Sequence, residues 1–326
     1  MTGEAELIAR IQRRIGAHGR FVRLGMGDDA AILRPARDKE LLVTCDAFLE
    51  GVHFDREKHA AEAVGYKALA RATSDIAAMG GVPRCFLLGL ALPESRTRRW
   101  LDGFLAGMQR AARRFGMALA GGDTARHRQI LIQITVAGEI APGRAVLRSG
   151  ARPGDLICVS GRLGEAQLGL ELILRGWARG RRRRRLLRKH LHPEPRLALG
   201  QWLAESRLAT AMIDTSDGLS TDLGHICEAS GVGARVFAEK IPTVPVPKEL
   251  RRHGLDAQEL ALDGGEDYEL LFTVRRRSAR GLPARVHGVP LTVIGEITRE
   301  KKVILTRRDG HTVVLLPRGW DAFRPA

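Results

Sequence analysis

Length, composition and charge limit the classes of protein to which the chain can belong. The 326 residues are 44% hydrophobic and 28% charged, which predicts a folded protein of two domains rather than a disordered one. The four cysteines are scattered without a C-x-x-C pair, which argues against a zinc cage or a disulfide framework and fits a reducing compartment. The net charge of +16 leaves nucleic-acid binding open.

The sequence carries no sign of export or of a membrane segment. Residues 1–18 form a mixed-charge amphipathic stretch without the apolar run of a signal peptide. The longest apolar run, around residues 86–92, is too short to span a bilayer. We therefore expect a cytoplasmic protein with no membrane partner.

The first half of the chain is predicted to alternate strands and helices. In chain order, the patterns indicate a helix at 7–15, strands at 30–34 and 41–49, an Ala-rich helix at 60–79, a strand at 84–92, a helix at 94–115, a strand at 118–120 leading into a Gly121-Gly122 turn, and a strand at 129–140.

Breaks in composition at residues 141–143 and 151–154 indicate a boundary between two domains, 1–145 and 146–326. The second half again alternates. Its predicted elements are strands at 155–160, 211–213, 234–238, 268–274 and 291–297, helices at 165–174, 195–205 and 218–229, and a hairpin at 303–316. The predicted fold class is therefore α/β or α+β, with a C-terminal α/β sandwich.

An arginine tract at residues 179–189 (RGRRRRRLLRK) is the obvious candidate surface for nucleic acid. No aromatic residue lies inside the tract, although surfaces that bind single strands usually interleave several with their basic residues. The pattern therefore favours a solvated loop. Nucleic-acid binding through Arg181–Arg185 stays as an alternative.

Acidic residues recur in glycine-rich or hydroxyl-rich contexts despite the basic composition. Two carboxylates about 4 Å apart repel by roughly 4 kcal/mol at a surface-like dielectric, so several that meet at one point need cations between them. If these segments converge, they predict a site for hard metal ions. The segments are Gly27-Asp28-Asp29, Thr44-Cys45-Asp46, Ser74-Asp75, Gly121-Gly122-Asp123-Thr124, Asp214-Thr215-Ser216-Asp217-Gly218 and Gly264-Gly265-Glu266-Asp267-Tyr268-Glu269.

Other readings of these motifs are less consistent with the chemistry. The run Gly25-Met26-Gly27-Asp28-Asp29-Ala30 matches G-x-G-x-x-A, but its aspartates would face a pyrophosphate and no hydrophobic strand precedes it. The sequence contains neither a P-loop nor the protein-kinase motifs. Asp214 and Asp217 flank a strand-to-helix turn, where one acidic residue would already suffice as a helix cap.

Together, the ordered motifs resemble the thiamine-monophosphate kinase family, in the superfamily that also contains aminoimidazole ribonucleotide synthetase and selenophosphate synthetase. The resemblance covers residues 25–320. It rests on GMGDDAA (25–31), EGVHF (50–54), YKALA (66–70), SDIAAMG (74–80), GGDT (121–124), RSGA (148–151), SDGL (216–219) and GEDYEL (265–270).

The resemblance implies a two-domain protein whose N-terminal domain binds ATP and metal and pairs across a homodimer into a barrel. It implies direct transfer of the ATP γ-phosphoryl group to thiamine monophosphate, assisted by several Mg²⁺ ions. The implied metal ligands are Asp29, Thr44, Asp46, Asp75, Asp123, Asp214 and Asp217; the implied ATP contacts are Gly122, Asp123, Arg148 and Ser216; the implied contacts to thiamine monophosphate are His53, Glu266 and Trp320.

Two points qualify that assignment. Cys45 stands where the family usually has Thr, and a thiol is a poor ligand for magnesium. Another ATP-dependent synthetase of the superfamily is the enzymatic alternative, but residues 1–25 contain no cysteine of the kind that selenophosphate synthetases carry near the N-terminus.

Overall fold

The computed structural model describes residues 4–15, 20–26 and 30–323, which divide into two compact units. Unit 1 comprises the described residues up to Ile76 together with Gly81–Gly143. Unit 2 comprises Ala77–Gly80 and the described residues from Arg144 onward. The sequence placed the boundary after residue 145, two positions further along. Within the described residues, no helix is long and apolar enough to cross a membrane.

Unit 1 is built on one sheet whose strands have the order β3-β6-β4-β5. Strands β4 and β5 are parallel, which requires a crossover helix between them, while β6 runs antiparallel to β3 and β4. The elements of this half are α1 (Glu4–Ile15), β1 (Val22–Leu24), β2 (Ile32–Leu33), β3 (Glu40–Leu49), α2 (Ala61–Ala78), β4 (Val82–Leu92), α3 (Arg99–Phe115), β5 (Ala118–Arg126) and β6 (Leu131–Ile140).

One face of this sheet is buried and the other is partly open. Large side chains from the helices and strands fill the buried side, among them Phe86, Phe104 and Leu69, each at most 0% exposed. On the other side of edge strand β3, Leu41 and Val43 are 47% and 62% exposed. Burial of one face explains the alternating pattern that the sequence shows along β3.

Two predictions for unit 1 were wrong in detail. Gly121 and Gly122 form no turn but continue β5 through Asp123, paired in parallel with β4. The backbones approach so closely that a Cβ on Gly122 would lie 2.0 Å from the Leu88 carbonyl oxygen. The helix predicted from residue 94 begins with a short 3-10 segment, and α3 itself starts at Arg99.

Unit 2 contains a larger mixed sheet in the order β14-β13-β9-β12-β7-β10-β8, with β11 beside β12. Its elements are β7 (Leu156–Ser160), α4 (Glu165–Leu174), α5 (Arg181–Leu186), α6 (Arg188–Leu191), α7 (Leu197–Ser206), β8 (Ala209–Asp214), α8 (Leu219–Ser230), β9 (Gly233–Phe237), α9 (Lys248–Arg251), α10 (Ala257–Asp263), β10 (Leu270–Val274), β11 (Arg285–Val286), β12 (Val289–Thr298), β13 (Val303–Thr306) and β14 (Thr312–Val314).

Helix α8 packs its apolar side on this sheet and so fixes the end of the helix that faces the acidic turn. Leu219, Leu223 and Ile226 recur at helical spacing and are buried in one cluster with Ile157 and Ile213 of the strands. Because β8 leads directly into α8, the residues between them are held at the edge of the sheet. The turn 214–218 is therefore anchored on both sides.

The arginine tract is helical rather than a loop. Residues 181–186 form α5, and the Arg183 guanidinium donates to the Trp177 carbonyl oxygen at 3.3 Å. Arginine is a good helix former, and this property prevails over the mutual repulsion of the charges in the partly exposed segment.

The close approach of β4 and β5 gives a test of the fold. Gly122→Ala should lower the free energy of unfolding by about 1–3 kcal/mol, because its Cβ would overlap the Leu88 carbonyl oxygen. Urea denaturation measures the change. Gly121→Ala is the matched control, since its Cβ would meet Leu87 Cδ2 at an ordinary 3.5 Å. Equal stability of the two variants would contradict the observed register.

Candidate active site

In unit 1, strand β3 and helix α2 bring together three of the predicted metal ligands. Thr44 Oγ1 donates to Asp75 Oδ2 at 2.5 Å. Two residues along β3, Asp46 accepts a fork of hydrogen bonds from Arg71, with Nε at 2.8 Å and Nη2 at 3.0 Å. Arg71 and Asp75 lie one helical turn apart on α2, so they share the face that meets β3.

Arg71 is a residue of this group that sequence analysis missed. Its guanidinium pairs with both oxygens of Asp46 and lies 5.2 Å from the centre of the Phe48 ring. The pair is half-buried, with side-chain exposures of 15% for Arg71 and 25% for Asp46. Its position could have been suspected from the i, i+4 spacing to Asp75.

His53 lies in the turn after β3 with its ring orientation fixed by the backbone. Its Nδ1 accepts from the Leu49 N–H at 3.0 Å, so the neutral ring carries its proton on Nε2. The ring also lies 5.6 Å from that of Phe48. Nε2–H is therefore a donor whose direction is set by the turn.

Gly122 and Asp123 lie on the opposite edge of the same sheet from Asp46. Strand β5 is separated from β3 by β4 and β6. Three strand spacings correspond to about 14 Å in a flat sheet. The Asp123 side chain is exposed. Unit 1 thus gathers Thr44, Asp46 and Asp75 but holds Asp123 apart. Asp29 lies outside the described residues.

In unit 2, two segments that are far apart in the sequence pair at the backbone: the acidic turn (residues 214–218) and the glycine-rich loop (residues 264–269). The Glu266 and Tyr268 N–H groups donate to the carbonyl oxygens of Ser216 and Thr215, at 2.8 and 2.9 Å. The Thr215 N–H donates back to the Glu269 carbonyl oxygen at 2.8 Å. This pairing places Asp214, Ser216 and Glu266 at one edge of the sheet.

Gly265 allows that approach. A Cβ at this position would lie 2.5 Å from the Ser216 carbonyl oxygen. The next residue, Glu266, has a positive φ of 68° and Tyr268 one of 49°, conformations that cost free energy in residues with a Cβ. The hydrogen bonds to the acidic turn hold both residues in these conformations.

Trp320 joins the same group. Its N–H donates to the Asp217 carbonyl oxygen at 2.9 Å, and the preceding Gly319 N–H donates to Thr221 Oγ1 at 3.2 Å. The Trp320 side chain is 48% exposed, so the ring is available to a ligand. The last segment of the chain thus brings an aromatic surface beside the acidic turn.

Arg148 does not join them within unit 2. Its carbonyl oxygen accepts from Ser230 Oγ, at the last residue of α8. The acidic turn precedes the first residue of α8, about 16 Å away by the rise of the helix. Arg148 is exposed, and its predicted contact with ATP stays a prediction.

A buried ionic cluster supports the glycine-rich loop from behind. Glu269, whose side chain is 1% exposed, is bonded to Lys189, to Arg196 and to Ser160 Oγ. Burial alone would raise the pKa of Glu269, but the two cations hold it below the ordinary 4.5. Sequence analysis missed both cations, which lie more than 70 positions away along the chain.

Two further interactions fix the loop. The Asp267 carboxylate accepts from the Gly164 and Ala166 N–H groups around the start of α4, and its burial raises the pKa to about 7. His190, which is 1% exposed, lies with Nδ1 3.3 Å from Glu266 Oε2. The side chain predicted to hold the substrate is therefore itself held by a buried imidazole.

Asp222 is a third acidic residue at the acidic turn that sequence analysis did not identify. It is completely buried, and its Oδ2 accepts from the N–H groups of Asp217 and Gly218 at 3.3 and 3.1 Å. Burial, followed by the like charges of Asp217 and Asp214, raises its pKa well above the ordinary 3.8. The turn therefore concentrates negative charge.

The donor set suits a hard divalent cation, although no metal centre is already assembled. Carboxylate and hydroxyl oxygens are the ligands that magnesium prefers. Among the described residues, no three His, Cys, Asp or Glu side chains are arranged to hold a metal by themselves. Ligands that magnesium also takes from phosphates and water fit such an open arrangement.

Comparison with known proteins defines the class and then the family. The model of the AIR synthase related N-terminal domain matches residues 27–140, and that of the C-terminal domain matches residues 152–308. The chain is also 38% identical over 327 aligned positions to thiamine-monophosphate kinase of Escherichia coli strain K12, covering 98% of each chain.

Solved structures agree. Thiamine-monophosphate kinase from Stenotrophomonas maltophilia K279a is 38% identical with a TM-score of 0.81, covering 94% of this chain and 96% of that one. AaThiL complexed with AMPPCP and TMP is 34% identical with a TM-score of 0.77, covering 98% and 97%. The fold and its two acidic groups are those of an AIR synthase related protein. Within that class, the chain belongs to the thiamine-monophosphate kinase family.

The ionic cluster behind the glycine-rich loop predicts a stability effect that depends on pH. Glu269→Gln should lower the free energy of unfolding by about 3 kcal/mol at neutral pH, because it leaves two largely buried cations without their countercharge. Urea denaturation measures this loss. Glu269 has a lowered pKa, so its contribution is present above the ordinary 4.5 and is lost as the pH falls through the folded-state value.

The difference between the two proteins should therefore shrink in acid. Glu171→Gln is the control, since its ion pair with Arg175 lies at the surface one helical turn away and contributes about 0.5 kcal/mol at most. A Glu269→Gln variant as stable as this control at neutral pH would show that the buried cluster does not stabilise the loop.

Proposed function

We propose that the protein transfers the γ-phosphoryl group of ATP to the phosphate of thiamine monophosphate, giving thiamine diphosphate and ADP. The observation that carries this proposal is the backbone pairing of the acidic turn with the glycine-rich loop, which gathers Asp214, Ser216, Asp217, Glu266 and Trp320. Family membership and the relative complexed with AMPPCP, a non-hydrolysable ATP analogue, and TMP support it.

We assign the divalent ion to magnesium, with Thr44, Asp46, Asp75 and Asp123 of unit 1 and Asp214 and Asp217 of unit 2 as the described ligands. Asp29 belongs to the same predicted set. When bound, Mg²⁺ neutralises charge on the phosphates, which is the main requirement when one phosphate attacks another. The exclusively oxygen donors of this set support the choice.

The remaining residues bind and orient. Ser216, half-buried in the acidic turn, presents a hydroxyl beside backbone N–H groups, an arrangement suited to phosphate oxygens. The Nε2–H of His53 donates to the phosphate of the acceptor. Glu266, fixed by His190, contacts the substrate, and Trp320 offers a ring face to its cationic thiazolium. No covalent nucleophile is required, so transfer is direct and in line.

The Gly122 backbone can approach the nucleotide because this position has no side chain. Arg148 is assigned to ATP because its fork of N–H donors matches phosphate oxygens. It lies at the far end of α8 from Ser216 within unit 2. This placement makes Arg148 the least supported member of the proposed ATP site.

The proposed assembly is a homodimer in which the sheets of two unit 1 copies close into a barrel. The open face of that sheet supports it, because Val43 and Leu41 of edge strand β3 are largely exposed and Leu87 of β4 is 40% exposed. Long apolar edge strands are normally covered in native proteins. A closed barrel would cover β3 and β5, the strands that carry Asp46 and Asp123.

The proposed dimer surface predicts the effect of a charge. Val43→Lys should convert a dimer into a monomer, because a lysine in the centre of an apolar interface loses its hydration. Sedimentation velocity measures the mass. Lys39→Ala, at an exposed position just before β3, is the control and should leave the mass unchanged. A wild-type protein that sediments as a monomer would refute the proposed assembly.

The catalytic proposal predicts that Asp214→Asn lowers turnover by about 10²-fold or more, because it removes one negative charge from the cation site. The assay couples ADP release to thiamine diphosphate formation with ATP, Mg²⁺ and thiamine monophosphate. Asp155→Asn is the matched control, since Asp155 is also buried but lies at the opposite end of β7, where it accepts from Thr210 Oγ1 at 2.8 Å.

Wild-type turnover in Asp214→Asn would remove this residue from the site. Absence of thiamine diphosphate formation by the wild-type protein would refute the proposed reaction and favour another synthetase of the superfamily.

A further inference from the structure

Asp222 has a feature that its role as a helix cap does not require. One carboxylate oxygen, Oδ2, accepts from the backbone of the acidic turn. The other, Oδ1, is inaccessible to solvent and has no hydrogen-bond partner among the described residues. A buried acceptor without a partner costs about 1–3 kcal/mol, and more when it carries charge. An oxygen kept at that cost calls for a compensating interaction.

The surroundings of Asp222 indicate the sign of what compensates it. The side chain is 0% exposed, so water does not supply the missing interaction. The charged groups that act on it most strongly are Asp217 and Asp214, which carry the same sign as Asp222. Positive charge arriving at the acidic turn would therefore be attracted by three carboxylates, of which two lie nearer the surface or on the strand end.

A comparison with Glu269 shows that this arrangement is unusual within the same unit. Glu269 is equally buried, yet Lys189 and Arg196 neutralise it. Asp222 has no Lys or Arg among its strongest charged neighbours. The two carboxylates lie on either side of the same paired turn and loop, so local packing alone does not account for the difference.

We infer that Asp222 is a positioning residue for a divalent cation at the acidic turn. Its Oδ2 fixes the backbone of Asp217 and Gly218, and its negative charge attracts the cation that Asp214 and Asp217 bind. The inference rests on the proposed function, in which such a cation accompanies ATP. Asp222 itself need not contact the ion.

A neutral side chain of the same shape separates this role from capping. In Asp222→Asn, the amide oxygen still accepts from the two N–H groups, and asparagine caps helices about as well as aspartate. Only the charge is removed. Asp222→Ser, a second neutral residue that can cap, guards against a failure specific to the amide.

The experiment titrates Mg²⁺ into the full chain, free of nucleotide, by isothermal calorimetry, with Mn²⁺ as a second probe. In Asp222→Asn, the cation affinity should fall by about 10-fold or more, the usual effect of removing a residue that supports metal ligands. The melting temperature without metal should be no lower than that of the wild-type protein. Asp155→Asn, which removes a buried carboxylate elsewhere in unit 2, should bind the cation as the wild-type protein does.

Several outcomes overturn the inference. They are wild-type cation affinity in Asp222→Asn, no cation uptake by the wild-type protein, or a large loss of melting temperature in both neutral variants without metal, which would assign Asp222 to the fold. The titration contains neither ATP nor thiamine monophosphate. An Asp222-dependent cation site in a protein that makes no thiamine diphosphate would therefore refute the proposed reaction and leave this inference standing.

Discussion

The backbone hydrogen bonds between the acidic turn and the glycine-rich loop are the constraint on which the candidate site of unit 2 depends. Residues 214–218 end a strand and begin α8, whereas residues 264–269 end α10 and begin β10. Because Thr215 exchanges hydrogen bonds with Glu269 and Tyr268, neither segment can move without the other. The chemistry proposed for five side chains is in this way tied to two adjacent strands, β8 and β10.

Charge is handled in two ways around this pairing. Behind the loop, a buried carboxylate is matched by Lys189 and Arg196, which is the arrangement of a structural ion pair. In front, Asp214, Asp217 and Asp222 accumulate charge of one sign, which is the arrangement of a binding site. The contrast between them distinguishes residues that stabilise the loop from residues that receive a ligand.

The sequence was sufficient for the elements whose pattern is local. Helix α4 has the bounds predicted for it, Glu165–Leu174, because its apolar spacing and the preceding glycine are both contained in the segment. The acidic turn was recognised for the same reason. The tract of arginines was assigned to a loop because charge repulsion was given more weight than helix propensity, and α5 shows that weighting to be wrong.

What the sequence could not supply are partners brought together by the fold. Glu269 meets Lys189 and Arg196 across more than 70 residues, and no local spacing indicates that contact. Asp222 looks like an ordinary helix residue until its complete burial is known. The Gly121-Gly122 pair has the composition of a turn, and only the closeness of Leu88 explains why it lies within a strand.

The fork between Arg71 and Asp46 has a consequence for ion discrimination. A guanidinium already occupies both oxygens of that carboxylate, so an incoming ion has to displace it. Monovalent ions, with half the charge, gain too little to break two charge-assisted bonds. A doubly charged ion accompanied by phosphates, whose oxygens can receive the released arginine, gains considerably more. The arginine would thus act as an internal counterion that makes loading of this carboxylate cooperative with arrival of the nucleotide.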